Sequence, residues 1–413
     1  MKIHDVIIIG GGPAGSTVAA LLAEKNLNVL LFEREKFPRF SIGESLMPGT
    51  YWTLKRLGVL DKMKASVFPK KYSVQFYSKS GRASAPFYFF EHDEHESSKT
   101  WQVLRSEFDQ MLLDNAEEKG AEVRQETSVL EVLFEGDKAV AVRAKLADKS
   151  IEEFRAKVIV DASGQSALIS RKMKMSRVEP GLKKASIYTH FEGGVRDQGV
   201  DAGATLIYHT QNQDSWFWYI PLPNDVVSVG VVGSLDYLLQ NRKDDPQKIF
   251  DAELEMCPAL KPRLDNARQL FPFKVTKDFS YRSNRLAGDG WVLVGDAFGF
   301  LDPIYSSGVF LALKSGEMAA DGIVEAFEKN DFSGRQLGKF GPDYVSGMEA
   351  IRKLVYAFYT KEFSFAKFLK RFPDCRDEIV NILIGNVFRD DVNGIFKPMA
   401  EMCELPEAKE LEK

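Results

Sequence analysis

The chain of 413 residues is 44% hydrophobic and 28% charged, a balance that excludes a disordered, collagenous or disulfide-scaffold protein. Its 55 Lys+Arg and 59 Asp+Glu give a formal net charge of -4, so neither nucleic acid nor an anionic membrane surface is expected as a partner. Cys257, Cys375 and Cys403 are odd in number and lack metal spacing, which points to a reducing, cytoplasmic setting and no bound metal.

A strand is predicted over Lys2–Ile9, closing in the β-branched run Val6–Ile9, and it leads straight into Gly10-Gly11-Gly12-Pro13-Ala14-Gly15. A glycine cluster and a proline at that point suit a strand, a turn and a helix rather than a leader or a membrane span. Ser16–Lys25 has helical spacing, with Val18, Leu21 and Leu22 on one face; Asn28–Phe32 reads as the next strand, ended by Glu33. Strand, G-x-G-x-x-G, helix, strand and acid is the order that dinucleotide binding needs. Gly10 permits the tight turn, Gly12 lets a pyrophosphate approach the backbone, and Gly15 lets the helix close on the strand. The helix amino terminus, at Ala14, faces the diphosphate, while Glu33, followed by Arg34, reaches the ribose. The motif alone leaves NAD and FAD both open.

Two further strands end in acids. Lys157–Val160 leads into Asp161-Ala162-Ser163-Gly164, and Trp291–Val294 leads into Gly295-Asp296-Ala297, followed by a helix-like run over Val309–Ala320. Each puts an Asp at the carboxyl end of a strand, where ligands of open α/β sheets sit. In order along the chain, Gly10–Gly15, Asp161–Gly164 and Gly295-Asp296 resemble the three fingerprints of the FAD-dependent aromatic hydroxylase superfamily, the p-hydroxybenzoate hydroxylase fold. The resemblance implies FAD in the first site and a cofactor contact from Arg105, within Val103–Asp109. It also implies an α/β fold: a Rossmann-like FAD-binding domain with an inserted antiparallel β-sheet substrate domain and a C-terminal helical region. The FAD-binding domain is expected to be discontinuous within about 1–330, its nucleotide layer drawn from about 1–70, 100–180 and 275–330. The inserted sheet is expected from about 71–99 and 181–274, and helices over about 331–413.

Three more stretches narrow the resemblance to flavin-dependent halogenases. Trp216-Phe217-Trp218-Tyr219-Ile220-Pro221 matches W-x-W-x-I-P. Alternate residues of a strand share a face, so Trp216 and Trp218 form one wall, continued by Ile220 and Pro221, which in that family separates the flavin from the organic substrate. Arg39–Pro48 resembles the family's R-x-x-x-G-E-S-x-x-P loop along the flavin, with Arg39 and Ser41 as cofactor contacts. Asp302-Pro303-Ile304-Tyr305-Ser306-Ser307-Gly308 resembles D-P-x-x-S-[ST]-G, where a halide lies near the flavin. Ser307 and Gly308 are the residues expected there, at a helix amino terminus that also suits a plain N-cap. The family's catalytic lysine falls in K-x-G-A-x-F, which Lys71–Phe76 approximates. Ser73 and Val74 depart from Gly-Ala, and Lys70 competes with Lys71 for the role. Tyr305 stands where the tryptophan-halogenase branch has Glu, which disfavours tryptophan as substrate.

The implied activity uses reduced FAD and O2 to oxidise a halide and halogenate an electron-rich arene of phenol or pyrrole type, free or carrier-bound. With no second dinucleotide fingerprint, NAD(P)H is expected to reduce FAD through a separate flavin reductase or a transient contact. The same fold also serves hydroxylases and prenyl-chain reductases, and these remain open. His92 and His95 lie in the charged stretch Glu91–Glu96, read as a solvated loop rather than a metal site.

Overall fold

Buried β-branched runs build a central sheet of parallel strands, because side chains covered on both faces can be apolar at every position. In the computed structural model, residues 3–277, 279–389 and 391–412 are described. The first strand spans Ile3–Ile9; Lys2, included in the prediction, lies outside the described residues. It pairs in parallel with Val29–Phe32 on one side and Ile151–Asp161 on the other. Trp291–Leu293 and Glu122–Arg124 extend the sheet at its two sides, also in parallel. The register sets Ile9 beside both Phe32 and Asp161, and Asp161 beside Leu293. The carboxyl ends of all four strands are therefore level. The glycine turn, Glu33, the Asp161 turn and the Gly295-Asp296 turn emerge along one edge.

The first helix runs Pro13–Ala23, two to three residues earlier than its apolar spacing indicates, because Pro13 is pre-set for the first helical position. It packs on a long helix, Ser307–Lys329. The two backbones approach so closely that a Cβ at Gly316 would lie 2.8 Å from the Ala14 carbonyl.

A second sheet stands beside the first. Its strands run Ser73–Tyr77, Thr205–His209, Ser215–Pro221, Val226–Ser234 and Lys184–Glu192 in spatial sequence, with shorter strands at both edges. The joins are antiparallel, with one difference from the purely antiparallel sheet expected: Thr205–His209 pairs in parallel with Ser73–Tyr77. Ser73–Tyr77 enters from the nucleotide layer, far away in sequence, so no hairpin constrains its direction. The sheet obeys the period of two. Trp216, Trp218 and Ile220 face the main core, while Phe217 and Tyr219 face a smaller one with Phe191 and Phe250.

Helices Gly341–Tyr359, Phe365–Arg371 and Arg376–Ile384 follow. Buried Arg352 anchors the first of them through Glu349 (2.7 Å) and Glu179 (3.0 Å). Among the described residues, no helix is long and apolar enough to cross a membrane, and no cluster of His, Cys, Asp or Glu could hold a metal ion. The segment of His92 and His95 is largely exposed, but neither ring is idle. His95 stacks on Trp52 at 5.2 Å and accepts from the Ser97 amide; His92 lies 3.6 Å from Asp377.

Candidate active site

At the nucleotide end, Gly10 has φ +105°, a conformation that costs glycine little, and a Cβ there would meet the Ala162 carbonyl at 2.4 Å. A Cβ at Gly15 would lie 1.9 Å from the Gly10 carbonyl. The helix that starts at Pro13 has no side-chain cap, so its first N–H groups are left for a ligand.

The two strand-end acids have tasks the sequence did not reveal. Glu33, expected on a ribose, accepts the Gly11 and Glu35 amides with one oxygen each, both at 2.8 Å. Asp161, expected at the cofactor, is fully buried and accepts the amides of Ser163 (3.0 Å) and Ile169 (2.8 Å). Both carboxylates shape turns around the site, and Asp161 is too deep for direct contact. Gly164 holds φ +63° in the same turn. Arg34 is exposed and reaches Ser166 at 3.3 Å. It bridges two loops at the rim.

Arg39 and Arg105 converge on Asp109. Arg39 Nη1 donates at 3.2 Å, and Arg105 grips both carboxylate oxygens at 2.7 and 2.9 Å. Arg105 also donates to the Ile42 carbonyl, tying the Arg39–Pro48 loop down. Ser41 sits half-buried on that loop. A Cβ at Gly12 would meet only Arg39 Nη2, at 3.6 Å, so this glycine borders open space beside a guanidinium. Asp296 completes the group. No protein hydrogen bond reaches its carboxylate among the described residues, and burial pushes it up to about 6 against the lowering field of Arg105. An unpartnered carboxyl, an open glycine turn and an uncapped helix suit the hydroxyls and diphosphate of FAD.

At the far end, Asp302–Gly308 turns into the long helix. Ser306 adopts a left-handed conformation (φ 57°) as the residue preceding that helix, without a side-chain cap. Neither serine serves as the N-cap acceptor that the sequence allowed, so the first-turn N–H groups have no side-chain cap beside the buried Ser307 hydroxyl. A Cβ at Gly308 would lie 3.0 Å from the Phe300 ring, so glycine keeps the segment close. Trp216 and Trp218 stand side by side, ring centroids 6.4 Å apart. Trp218 Nε1 donates to Ser228 Oγ at 3.1 Å.

Trp216 Nε1 donates at 3.0 Å to Tyr359 Oη, which in turn donates to both oxygens of Asp302, at 3.2 and 3.0 Å. The tryptophan strand, the last turn of a C-terminal helix and the Asp302–Gly308 segment are thus one network. Burial pushes Asp302 up to about 6. Tyr359 escaped the sequence reading, because its partners lie 57 and 143 residues away. So did His190, whose Nε2 lies 2.6 Å from Glu44 Oε1 of the G-E-S loop.

The two lysines differ in burial: Lys70 is exposed, whereas Lys71 is 2% exposed. The Lys71 Nζ donates to the Leu46 carbonyl at 3.0 Å and sits 2.8 Å from Ser45 Oγ and 5.6 Å from the Phe89 ring centroid. Burial pulls it down to about 7, so a large share of this amine is neutral near pH 7.

The FAD binding domain family matches residues 4–322. A 1H-pyrrole-2-carbonyl-[peptidyl-carrier protein] brominase of Pseudoalteromonas luteoviolacea is 35% identical, over 94% of this chain and 93% of its own. The corresponding chlorinase of Pseudomonas fluorescens is 31% identical, over 98% and 94%. Among solved structures, the flavin-dependent brominase Bmp2 superposes with a TM-score of 0.87 at 32% identity, covering 97% of this chain and 99% of that one. The fold and the site thus define an FAD-dependent oxidoreductase. Within that class, the chain belongs to the flavin-dependent halogenases, and FAD is its cofactor.

Proposed function

We propose that this enzyme halogenates a pyrrole-type ring presented on a carrier protein, with Lys71 as the group that delivers the halogen. The single observation that carries the reading is Lys71 itself, buried and held on the G-E-S loop by Ser45 and Leu46. The two carrier-dependent relatives support the choice of ring and carrier. Bound FAD, once reduced, supplies the oxidising power for halide by reaction with O2. The chain's own part is binding, separation and proton placement. The glycine turn and Arg39 hold the diphosphate, and Asp296 takes a ribityl hydroxyl. The Ser307 hydroxyl and the first-turn N–H groups of the long helix hold a halide. Trp216 and Trp218, with Ile220 and Pro221, keep the organic ring away from the flavin. Lys71 receives the oxidised halogen and orients it toward the ring.

Electrons come from a separate flavin reductase. The nucleotide layer (about 1–70, 100–180 and 275–330), the sheet insert (about 71–99 and 181–274) and the helical region (about 331–413) act as separate units of this machine. A cytoplasmic place suits the three unpaired thiols.

The test is chlorination and bromination of carrier-bound pyrrole-2-carboxylate, with a flavin reductase and NADH. Halide-dependent product is expected, and Lys71→Ala should lower turnover by about 100-fold or more while retaining FAD. A Lys71→Ala protein that halogenates normally removes Lys71 from the role. Halide-independent oxygen insertion would favour a hydroxylase.

A further inference from the structure

Behind Lys71 lies a chain of uncharged polar groups whose direction can be worked out from what each atom is able to do. Gln102 Nε2 lies 2.9 Å from the Gly203 carbonyl and 2.8 Å from Thr205 Oγ1. A carbonyl oxygen only accepts, so the amide NH2, not the amide oxygen, must face Gly203. Its second N–H then points at Thr205 Oγ1. Thr205 Oγ1 is therefore an acceptor from Gln102, and its own proton goes to the one other partner it has, Ser45 Oγ at 2.9 Å. Ser45 Oγ accepts that proton, and its own O–H has one partner left, Lys71 Nζ at 2.8 Å. Every group in this chain is buried.

A charged ammonium offers only donors. Facing one, either the Ser45 or the Thr205 proton would be left without an acceptor among the described residues, a costly state in a buried site. A neutral amine accepts that proton on its lone pair while donating to Leu46. No charged side chain pairs with Nζ among the described residues: Lys70 is exposed on the same strand, Glu44 on the loop is engaged by His190, and the remaining neighbour is the Phe89 ring.

We propose that Gln102, acting through Thr205 and Ser45, is a positioning residue that holds Lys71 as the free amine. The chain of donors points one way, and its direction is fixed by the Gly203 carbonyl at its far end. This deepens the reading of Lys71 as the halogen-delivering group and rests on it for its meaning in catalysis, but the protonation claim stands on geometry alone.

The experiment uses FAD-loaded enzyme carrying 13Cε-labelled lysine. The Lys71 signal is assigned by its loss in Lys71→Arg, and its shift is followed from pH 5 to 11. Thr205→Val cuts the chain at near-constant volume and frees Ser45 to turn and accept from an ammonium. Its Lys71 midpoint should rise by about one pH unit, so that the ratio of free amine to ammonium at pH 7 falls about tenfold. Gln102→Met should raise the midpoint in the same direction, and Thr205→Ser should leave it at the wild-type position. The two raising variants give separate readings should one fail to fold. A midpoint unmoved in a folded, FAD-bound Thr205→Val or Gln102→Met protein overturns the proposal. Because the readout is a titration, a shifted midpoint together with full activity of Lys71→Ala would sink the proposed function and leave this inference intact.

Discussion

The two ends of the active site treat charge in opposite ways. In the nucleotide layer, Glu33 and Asp161 each accept two backbone amides, and Arg39 and Arg105 share Asp109. Nearly every charge there is spent on holding a loop still. Where the two sheets meet, Asp302 and Lys71 are pushed toward neutrality by burial. A cofactor that stays bound needs a rigid cradle. Groups that exchange protons with a ligand need pKa values moved from their ordinary range, and burial does that at the other end. The cost of burying them is carried by the surrounding core.

Substitutions at the two ends should break this contrast differently. Gly15→Ala should have the largest effect, since its Cβ would overlap the Gly10 carbonyl. The glycine turn must open, and the purified protein should lose FAD or fail to fold, as read from the flavin-to-protein absorbance ratio. Wild-type loading would contradict the close approach seen here.

Lys71→Met should act in the opposite sense. Burial pulls Lys71 down to about 7 from the ordinary lysine value of 10.5. The unfolded chain therefore binds this proton first as pH falls. Stability from this group is intact above about 10.5 and falls as pH drops toward 7, below which the loss is constant. Lys71→Met should thus be more stable than wild type at pH 7, by a few kcal/mol, and should lose that advantage as pH approaches 10. Denaturant titrations at pH 7, 8.5 and 10 would measure it. A pH-independent difference would mean that Lys71 is charged in the fold.

Tyr359→Phe should have the smallest effect. It leaves Asp302 with the Ile304 amide alone, at 3.0 Å, and strands Trp216 Nε1. A loss of about 1–3 kcal/mol is expected, with a change in tryptophan emission. An unchanged spectrum would mean that the wall does not depend on the C-terminal helix.

The comparison also explains what could be read from the sequence. The glycine turn, the three strand-end motifs and the Trp wall are local, so spacing and period were enough. Glu33 and Asp161 were found by position, but their amide partners were not, because backbone donors leave no mark in a sequence. The helix start at Pro13 and the parallel join of Thr205–His209 with Ser73–Tyr77 differ from expectation for a related reason. A chain entering from another layer brings a direction that its own residues do not encode.

By itself, the sequence determined the fold class, the cofactor motifs and a pair of adjacent lysines. The tertiary structure buried Lys71 and left Lys70 exposed, joined Trp216 to Asp302 through Tyr359, and set Gln102 and Thr205 behind Ser45. Alternation along a strand says that two neighbours face opposite ways, but not which way is inward. Burial, and with it the protonation of an amine, is settled only when distant segments close around it.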